Sequence, residues 1–204
     1  MISADRRWLF VHIQKTGGDA VRTALGLKTD DPHKHLLASE LRALYGDAYW
    51  RQCFKFTFVR NPWDRLVSWW SKIDASRGAH SNGTALNRFQ SFVLQRATTF
   101  EGFLMNCDEE IVDEDGRKWI YRNQLDYLTD STGELLVDFV GRFETLQQDF
   151  ASVTQQLFRD PIQLPYVNQS KHHRYPEYYT PALAQMVARR YRRDIEAFGY
   201  VFGK

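Results

Sequence analysis

The chain has 204 residues, of which 43% are hydrophobic and 15% aromatic, enough for one domain with a sizeable core. Its 27 Lys and Arg against 25 Asp and Glu leave a formal net charge of +2, so we predict no nucleic-acid partner. Two cysteines are too few for a disulfide framework. No apolar run reaches about twenty residues, the length of a membrane span, and no signal region opens the chain. We therefore expect a single cytoplasmic domain over residues 1–204.

The first predicted element is a buried strand over residues 8–13, a short apolar run with β-branched and aromatic members. Lys15, Thr16, Gly17 and Gly18 follow it, and helix formers come next. A strand, a glycine turn and a helix together place backbone N–H groups in front of an anion. Lys15 adds positive charge and Thr16 a hydroxyl donor. The glycines follow the lysine here, unlike the common nucleoside-triphosphate loop, and an ordinary turn is the alternative.

The next part of the chain predicts a helix, a second strand and another helix. Residues 36–45 have leucines at helical spacing and end before Gly46. Residues 54–59 alternate phenylalanine with other side chains, which is typical of a strand. Asn61 is a suitable helix cap and Pro62 suits a first helical turn, so a helix is expected from there through Trp70.

The rest of the chain predicts further helices among loops. We expect a loose loop over residues 77–87, a helix over 89–106 with Gly102 as its weak point, and an acidic solvated loop over 108–115. Extended or mixed segments follow at 121–128 and 135–143, then a helix over 144–158 and a last helix from Pro181 to before Gly199. Strands that alternate with helices predict one α/β domain with a mainly parallel central sheet flanked by helices and a P-loop-like loop after its first strand.

A second anion site is predicted after the second strand. Arg60 stands at the strand end, and Ser68 lies about two turns into the following helix. A guanidinium fixed at a strand end is a good phosphate receptor. Ligands of open α/β sheets gather at the carboxyl ends of strands, so Arg60 and Lys15 are expected on one edge. Two anion sites on one edge imply a ligand with two anionic ends. In the alternative, Arg60 pairs with an acid and Arg65 is solvated.

Residues 10–18 and 56–68 resemble the two nucleotide-binding motifs of the sulfotransferases that use 3′-phosphoadenosine 5′-phosphosulfate. The sequence is most similar to the carbohydrate branch, which includes heparan and chondroitin sulfotransferases and short bacterial relatives. The resemblance extends more loosely through residues 124–128, 140–144 and 168–170 and the final helix. The two motifs in this order are far more specific than either one alone.

The resemblance implies a donor, an acceptor and a set of binding residues. The donor is 3′-phosphoadenosine 5′-phosphosulfate, and the acceptor is a hydroxyl of a carbohydrate or another small molecule. Lys15 would also stabilise charge on the leaving phosphate oxygen. The 5′-phosphosulfate would be held by Lys15, Thr16, Gly17 and Gly18, with Asp19 and Ala20 next to them, and the 3′-phosphate by Arg60 and Ser68. Asn168, Ser170 and Lys171 lie in a segment that closes over the nucleotide in the family, with a surface loop as the alternative.

Two positions depart from the family pattern. Asp19 and Ala20 stand where hydroxyl residues are usual. Asp19 suits a helix cap, but its charge is unfavourable beside a phosphosulfate, and Ala20 removes a donor. We expect a cost of about 1–2 kcal/mol in donor affinity. These residues support the alternative of a nucleotide-binding protein that has lost transfer. A small-molecule phosphotransferase is a further alternative, opposed by the order of Lys and Gly and by the lack of an evident magnesium-binding pair.

An alcohol acceptor requires a general base. His35 is similar in placement to a histidine of related carbohydrate sulfotransferases and is our first candidate, with His33 second. His12, inside the first strand, is expected to pack or to orient the loop. His172 and His173 belong to a late basic segment that suits an anionic acceptor. No metal is predicted, although the segment of residues 33–35 contains two imidazoles, His33 and His35, of the kind that bind metals.

Overall fold

The computed structural model describes residues 1–5, 7–28, 30–114, 116–158, 160–165 and 173–204. Its helices and strands are, in chain order, β1 (Trp8–Val11), α1 (Gly18–Ala24), α2 (Ala38–Tyr45), α3 (Asp47–Gln52), β2 (Phe54–Val59), α4 (Pro62–Ser81), α5 (Arg88–Arg96), α6 (Phe100–Asn106), β3 (Ile111–Asp113), β4 (Gly116–Lys118), β5 (Phe139–Arg142), α7 (Leu146–Leu157), α8 (Pro181–Arg190) and α9 (Arg192–Phe198). The chain divides into two compact units, Met1–Arg60 with Gln124–Gln169 and Asn61–Asn123 with Ser170–Lys204. One domain over residues 1–204 stays a prediction.

The first unit contains a parallel sheet of three strands in the order β1, β2, β5. The register between β1 and β2 runs from Trp8 opposite Phe54 to Val11 opposite Thr57, and Val59 of β2 lies opposite Arg142 of β5. All four residues of β1 are buried, which explains its nearly continuous apolar sequence. Both strands that the sequence predicts first are therefore confirmed.

Helices cover this sheet within the first unit. Val21 of α1 and Phe150 and Val153 of α7 join one buried cluster with Phe10 of β1 and Phe56 of β2. The cluster is formed by side chains of high β propensity on the strands and by the apolar faces of the two helices, which exclude water from the sheet. The predicted α/β class, with a parallel sheet flanked by helices, is confirmed.

The parallel strands bring three loops to one edge of the sheet. The loop that contains Lys15 follows β1, Arg60 follows β2 directly, and a 3₁₀ turn at Phe143–Thr145 follows β5. Because the strands are parallel, their carboxyl ends share that edge. The structure thus places Lys15 and Arg60 on the same edge, as the sequence predicts.

The second unit begins with α4, whose start agrees with the prediction. The Trp63 N–H donates to the Asn61 side-chain oxygen at 3.1 Å, so Asn61 caps the helix and Pro62 occupies its first turn. The predicted loop over residues 77–87 is wrong in its first part, since α4 continues to Ser81.

The predicted helix over residues 89–106 consists of two helices, and Gly102 is not the break. The chain leaves the helical conformation at Ala97, whose carbonyl accepts a hydrogen bond from Arg77 at 2.9 Å. Thr99 then caps α6 by accepting from the Gly102 N–H at 3.1 Å. The break between α5 and α6 therefore lies at residues 97–99, where Arg77 binds the Ala97 carbonyl and Thr99 caps α6. Gly102 lies inside α6.

Two other predictions in the second unit are also wrong. The last helix is interrupted at Tyr191, a fully buried residue whose hydroxyl donates to the Ile120 carbonyl. The predicted acidic loop contains β3, which pairs antiparallel with β4. An ion pair of Lys118 with the buried carboxylate of Asp113 stabilises this hairpin. Among the described residues, no helix is both long and apolar enough to cross a membrane.

Candidate active site

The loop after β1 combines two left-handed residues with the start of a helix. Lys15 has φ 69° and Gly17 has φ 83°. The N–H groups of Ala20 and Val21 donate to the Gly17 carbonyl at 3.0 and 3.3 Å, so α1 begins directly after Gly17. Earlier N–H groups of a first helical turn have no acceptor within the helix, and left-handed turns make a concave row of such groups. This geometry suits an anion.

Thr16 is fully buried and its hydroxyl donates to the Ile13 carbonyl at 2.9 Å. The sequence predicts a hydroxyl that donates to the anion. In the observed geometry this proton is donated within the segment between β1 and α1, so a direct contact of the hydroxyl with an anion requires an exchange of this hydrogen bond.

Both glycines of the loop are closely packed. A Cβ atom added at Gly17 would lie 2.6 Å from Leu146 and 3.1 Å from Phe143. A Cβ atom added at Gly18 would lie 1.9 Å from His12 Nε2. Neither position has room for a side chain, which explains the glycine pair by packing as well as by the positive φ of Gly17.

We expect Gly17→Ala to destabilise the protein by about 2 kcal/mol, because it adds both a strained backbone and an overpacked contact. Gly26→Ala is the matched control. Gly26 also has positive φ, 63°, but nothing lies within 4 Å of its Cβ position. Urea unfolding of both variants measures the difference. Equal destabilisation would show that the backbone, and not the contact with Leu146, explains the glycine at position 17.

Arg60 is 4% exposed and its guanidinium is fixed at the sheet edge by neighbouring groups. Its Nη1 donates to the Lys15 carbonyl at 3.3 Å. The guanidinium carbon lies 3.8 Å from the ring centroid of Phe143, a cation–π contact. These contacts join the two anion-binding segments that the sequence predicts, and they orient the planar group before a ligand arrives.

Gln124, which no local pattern in the sequence predicts as a site residue, is fully buried and binds the backbone of Arg60. Its side-chain oxygen accepts from the Arg60 N–H at 2.8 Å, and its side-chain nitrogen donates to the Arg60 carbonyl at 2.8 Å. Close by in the sequence, the Tyr127 hydroxyl donates to the Gln14 side-chain oxygen. Residues 124–127 therefore fasten both loops of the edge. Their only signal in the sequence was the loose family resemblance of this segment.

We expect Gln124→Leu to destabilise the protein by about 2 kcal/mol, because two backbone groups of Arg60 become buried without partners. Urea unfolding measures this loss. Gln147→Leu, the same substitution at an exposed position on α7, is the control. Stability equal to that of the wild type would contradict the importance of the two bonds.

His35 lies beside the strand that leads into the loop. Its Nδ1 is 3.0 Å from the His12 carbonyl oxygen. Since a carbonyl only accepts, Nδ1 carries the proton of this bond and the neutral ring keeps its lone pair on Nε2. His33, the second candidate for the base, contacts Asp31. Its backbone N–H donates to the Asp31 carboxylate at 2.8 Å, and its ring Nδ1 lies 3.7 Å from the same carboxylate oxygen.

His12 itself is 5% exposed, and its ring is stacked on Phe10 with centroids 5.3 Å apart. Burial, and then the neighbouring His35, hold the pKa of His12 well below its ordinary value. The His12 ring is therefore neutral at neutral pH. The expectation that it packs agrees with this position.

Asp19 does not cap α1, so that prediction is wrong. Gly17 is the cap residue and Asp19 stands inside the first turn, where its carboxylate is 48% exposed and lies 3.9 Å from Arg22. An acidic residue in a first turn is favourable to the helix dipole without capping it. Ala20 is buried next to it. The roles of Asp19 and Ala20 toward a donor stay predictions.

The remaining predicted residues lie in the second unit or outside the described residues. Ser68 is 3% exposed on α4. Arg65 is fully buried and donates to the Arg122 carbonyl at 3.1 Å and to the Tyr191 hydroxyl at 3.4 Å, so the alternative of a solvated Arg65 is wrong. Asn168, Ser170 and Lys171 lie outside the described residues. Among the residues that are described, no group of three His, Cys, Asp or Glu side chains is arranged for a metal ion.

The first unit therefore brings a lysine loop and a buried guanidinium together at one sheet edge, with an imidazole beside the segment that leads into the loop. The two cationic groups suit an anionic ligand, and a neutral imidazole can accept a proton. These are the chemical properties that transfer of a group from an anionic donor to an acceptor requires.

The comparison with known families identifies that class. A family model described as the sulfotransferase family matches residues 1–201, nearly the whole chain. The chain therefore belongs to the sulfotransferase family and is an enzyme that transfers a sulfuryl group from 3′-phosphoadenosine 5′-phosphosulfate. A search of curated proteins finds no match. The carbohydrate branch and the bacterial relatives stay predictions.

Proposed function

We propose that this sulfotransferase moves the sulfuryl group to a hydroxyl of a carbohydrate or of another small hydroxylated acceptor by in-line displacement. The observation that carries the proposal is the position of His35, whose Nδ1 lies 3.0 Å from the carbonyl of His12, in the segment that leads into the lysine loop. A hydroxyl must lose its proton during transfer, and an imidazole fixed beside the donor loop is suited to take it.

The donor's two anionic ends have receptors in this proposal. Lys15, Thr16, Gly17 and Gly18 hold the 5′-phosphosulfate, where the left-handed turns at Lys15 and Gly17 support the assignment. Arg60 holds the 3′-phosphate, supported by its buried and preoriented guanidinium. Ser68, Asn168, Ser170 and Lys171 are added by family resemblance alone.

In the proposed transfer, each bond that forms or breaks and the acceptor proton have an assigned destination. The acceptor oxygen forms a bond to sulfur while the bond from sulfur to the bridging phosphate oxygen breaks. The electron pair of that bond goes to the phosphate of 3′-phosphoadenosine 5′-phosphate, where Lys15 stabilises the charge. The acceptor proton goes to His35 Nε2. As in phosphoryl transfer, positioning and charge stabilisation are expected to dominate the rate.

The test begins with calorimetric titration of 3′-phosphoadenosine 5′-phosphate into the protein. The labelled phosphosulfate donor is then incubated with neutral sugars, an unsulfated acidic polysaccharide, a phenol and an amine, each with and without EDTA. Label on a sugar or polysaccharide hydroxyl, insensitive to EDTA, is expected. Nucleotide binding without label on any acceptor would favour the protein that has lost transfer. Turnover that requires magnesium and a nucleoside triphosphate would favour the phosphotransferase.

A further inference from the structure

His12 is an unusual residue for the core position that it occupies. Its side chain is almost completely buried directly after β1, and its Nδ1 has no hydrogen-bond partner among the described residues. A buried polar nitrogen without a partner costs free energy that an apolar side chain would not. Packing against Phe10 alone therefore does not explain a histidine here.

The His12 side chain contacts the lysine loop through Gly18. The Nε2 atom lies 1.9 Å from the point that a Gly18 Cβ atom would occupy. The imidazole thus fills the space under the first residue of α1, and the missing side chain of Gly18 permits this approach. Because the contact is close, a displacement of the His12 ring would also displace Gly18 at the start of α1.

The same residue contacts His35 in two ways. The ring centroids of His12 and His35 are 4.6 Å apart and their planes are inclined by 56°. The His12 carbonyl also accepts the hydrogen bond that places the His35 proton on Nδ1. The ring and the backbone of one residue therefore fix both the position and the tautomer of the proposed base.

We propose that His12 is a positioning residue that sets the distance between the phosphosulfate loop and the base His35. The inference rests on the proposed function, in which the loop holds the donor and His35 takes the acceptor proton. In-line transfer requires a fixed distance between the sulfur and the base, and misplacement by about 1 Å can cost a hundredfold in rate. The rigid ring of His12, which lies between Gly18 and His35, fixes that distance.

A double-mutant cycle tests the inference, with turnover at saturating donor and affinity for 3′-phosphoadenosine 5′-phosphate measured separately. The variants are His12→Ala, His35→Ala and the pair together. We expect His12→Ala to lower turnover about tenfold or more and to weaken nucleotide binding several-fold. In the His35→Ala background, the turnover loss caused by His12→Ala should disappear, because the base that it positions is gone. A merely destabilised fold would not produce this coupling.

His80→Ala is the control, because this histidine is exposed on α4 and its Nδ1 contacts a local carbonyl, that of Thr84, at 3.1 Å. If His12→Ala does not fold, His12→Gln has a similar volume and is tested in the same cycle. Wild-type turnover and affinity in the His12 variant, or an equal turnover loss with and without His35, would overturn the inference. A wild-type protein that neither binds the nucleotide nor transfers label contradicts the proposed function instead.

Discussion

Alanine at position 35 is expected to lower turnover on an alcohol acceptor roughly a hundredfold or more, while donor affinity stays nearly unchanged. The neutral imidazole places its lone pair on Nε2, because Nδ1 donates to the His12 carbonyl at 3.0 Å. Its loss removes the proton acceptor of the transfer. Steady-state turnover and calorimetric affinity for 3′-phosphoadenosine 5′-phosphate measure the two effects separately.

Two further variants separate the basic nitrogen of His35 from its place in the structure. His35→Gln retains an N–H donor for the His12 carbonyl but has no nitrogen of comparable basicity, so it should be nearly as slow as alanine. His33→Ala should have a much smaller effect, because His33 is engaged with Asp31. Near-full turnover of His35→Ala on an alcohol would place the base elsewhere, with His33 or the late histidine pair as the next candidates.

Removal of the Arg60 guanidinium should weaken binding of 3′-phosphoadenosine 5′-phosphate by about 2–3 kcal/mol, or roughly 30- to 150-fold. The lost contact is charge-assisted, and the guanidinium is already oriented by Phe143 and by the Lys15 carbonyl. Calorimetric titration of wild type and Arg60→Ala provides the two affinities.

Adenosine 5′-phosphate is the control ligand because it lacks the 3′-phosphate. Its affinity should change little in Arg60→Ala if Arg60 is the 3′-phosphate receptor. Arg60 also touches the backbone of Lys15, so the variant has a second route to weaker binding, through a displaced loop. Equal weakening of both ligands would indicate that route and would contradict the assignment of Arg60.

Local patterns in the sequence were sufficient for the first two strands and for the start of the fourth helix. The alternating phenylalanines predict β2, and a proline after Asn61 predicts the start of α4, because strand period and helix capping depend on neighbouring residues. The common edge of Lys15 and Arg60 also followed, since parallel strands end on one side of a sheet. The family resemblance rested on these same two segments.

Only the tertiary structure showed how that edge is held together. Gln124 binds the backbone of Arg60 from 64 residues away, and Tyr127 reaches Gln14 across 113 residues. The residues in such contacts are far apart in the chain and belong to no repeating pattern, so a single sequence does not indicate that they meet. The interruption of the last helix at Tyr191 has the same origin, in a buried hydroxyl that reaches Ile120.

The pairing of His12 with Gly18 and His35 was likewise decided by the tertiary structure. The sequence predicts that His12 packs or orients the loop and that Gly18 belongs to the loop, but it indicates no contact of His12 with Gly18 or His35. The fold places the ring of one in the space left by the other, 1.9 Å from where a Cβ atom would stand. Residues near in sequence determined which chemistry is present at this edge, and close packing between distant segments determined where each group lies.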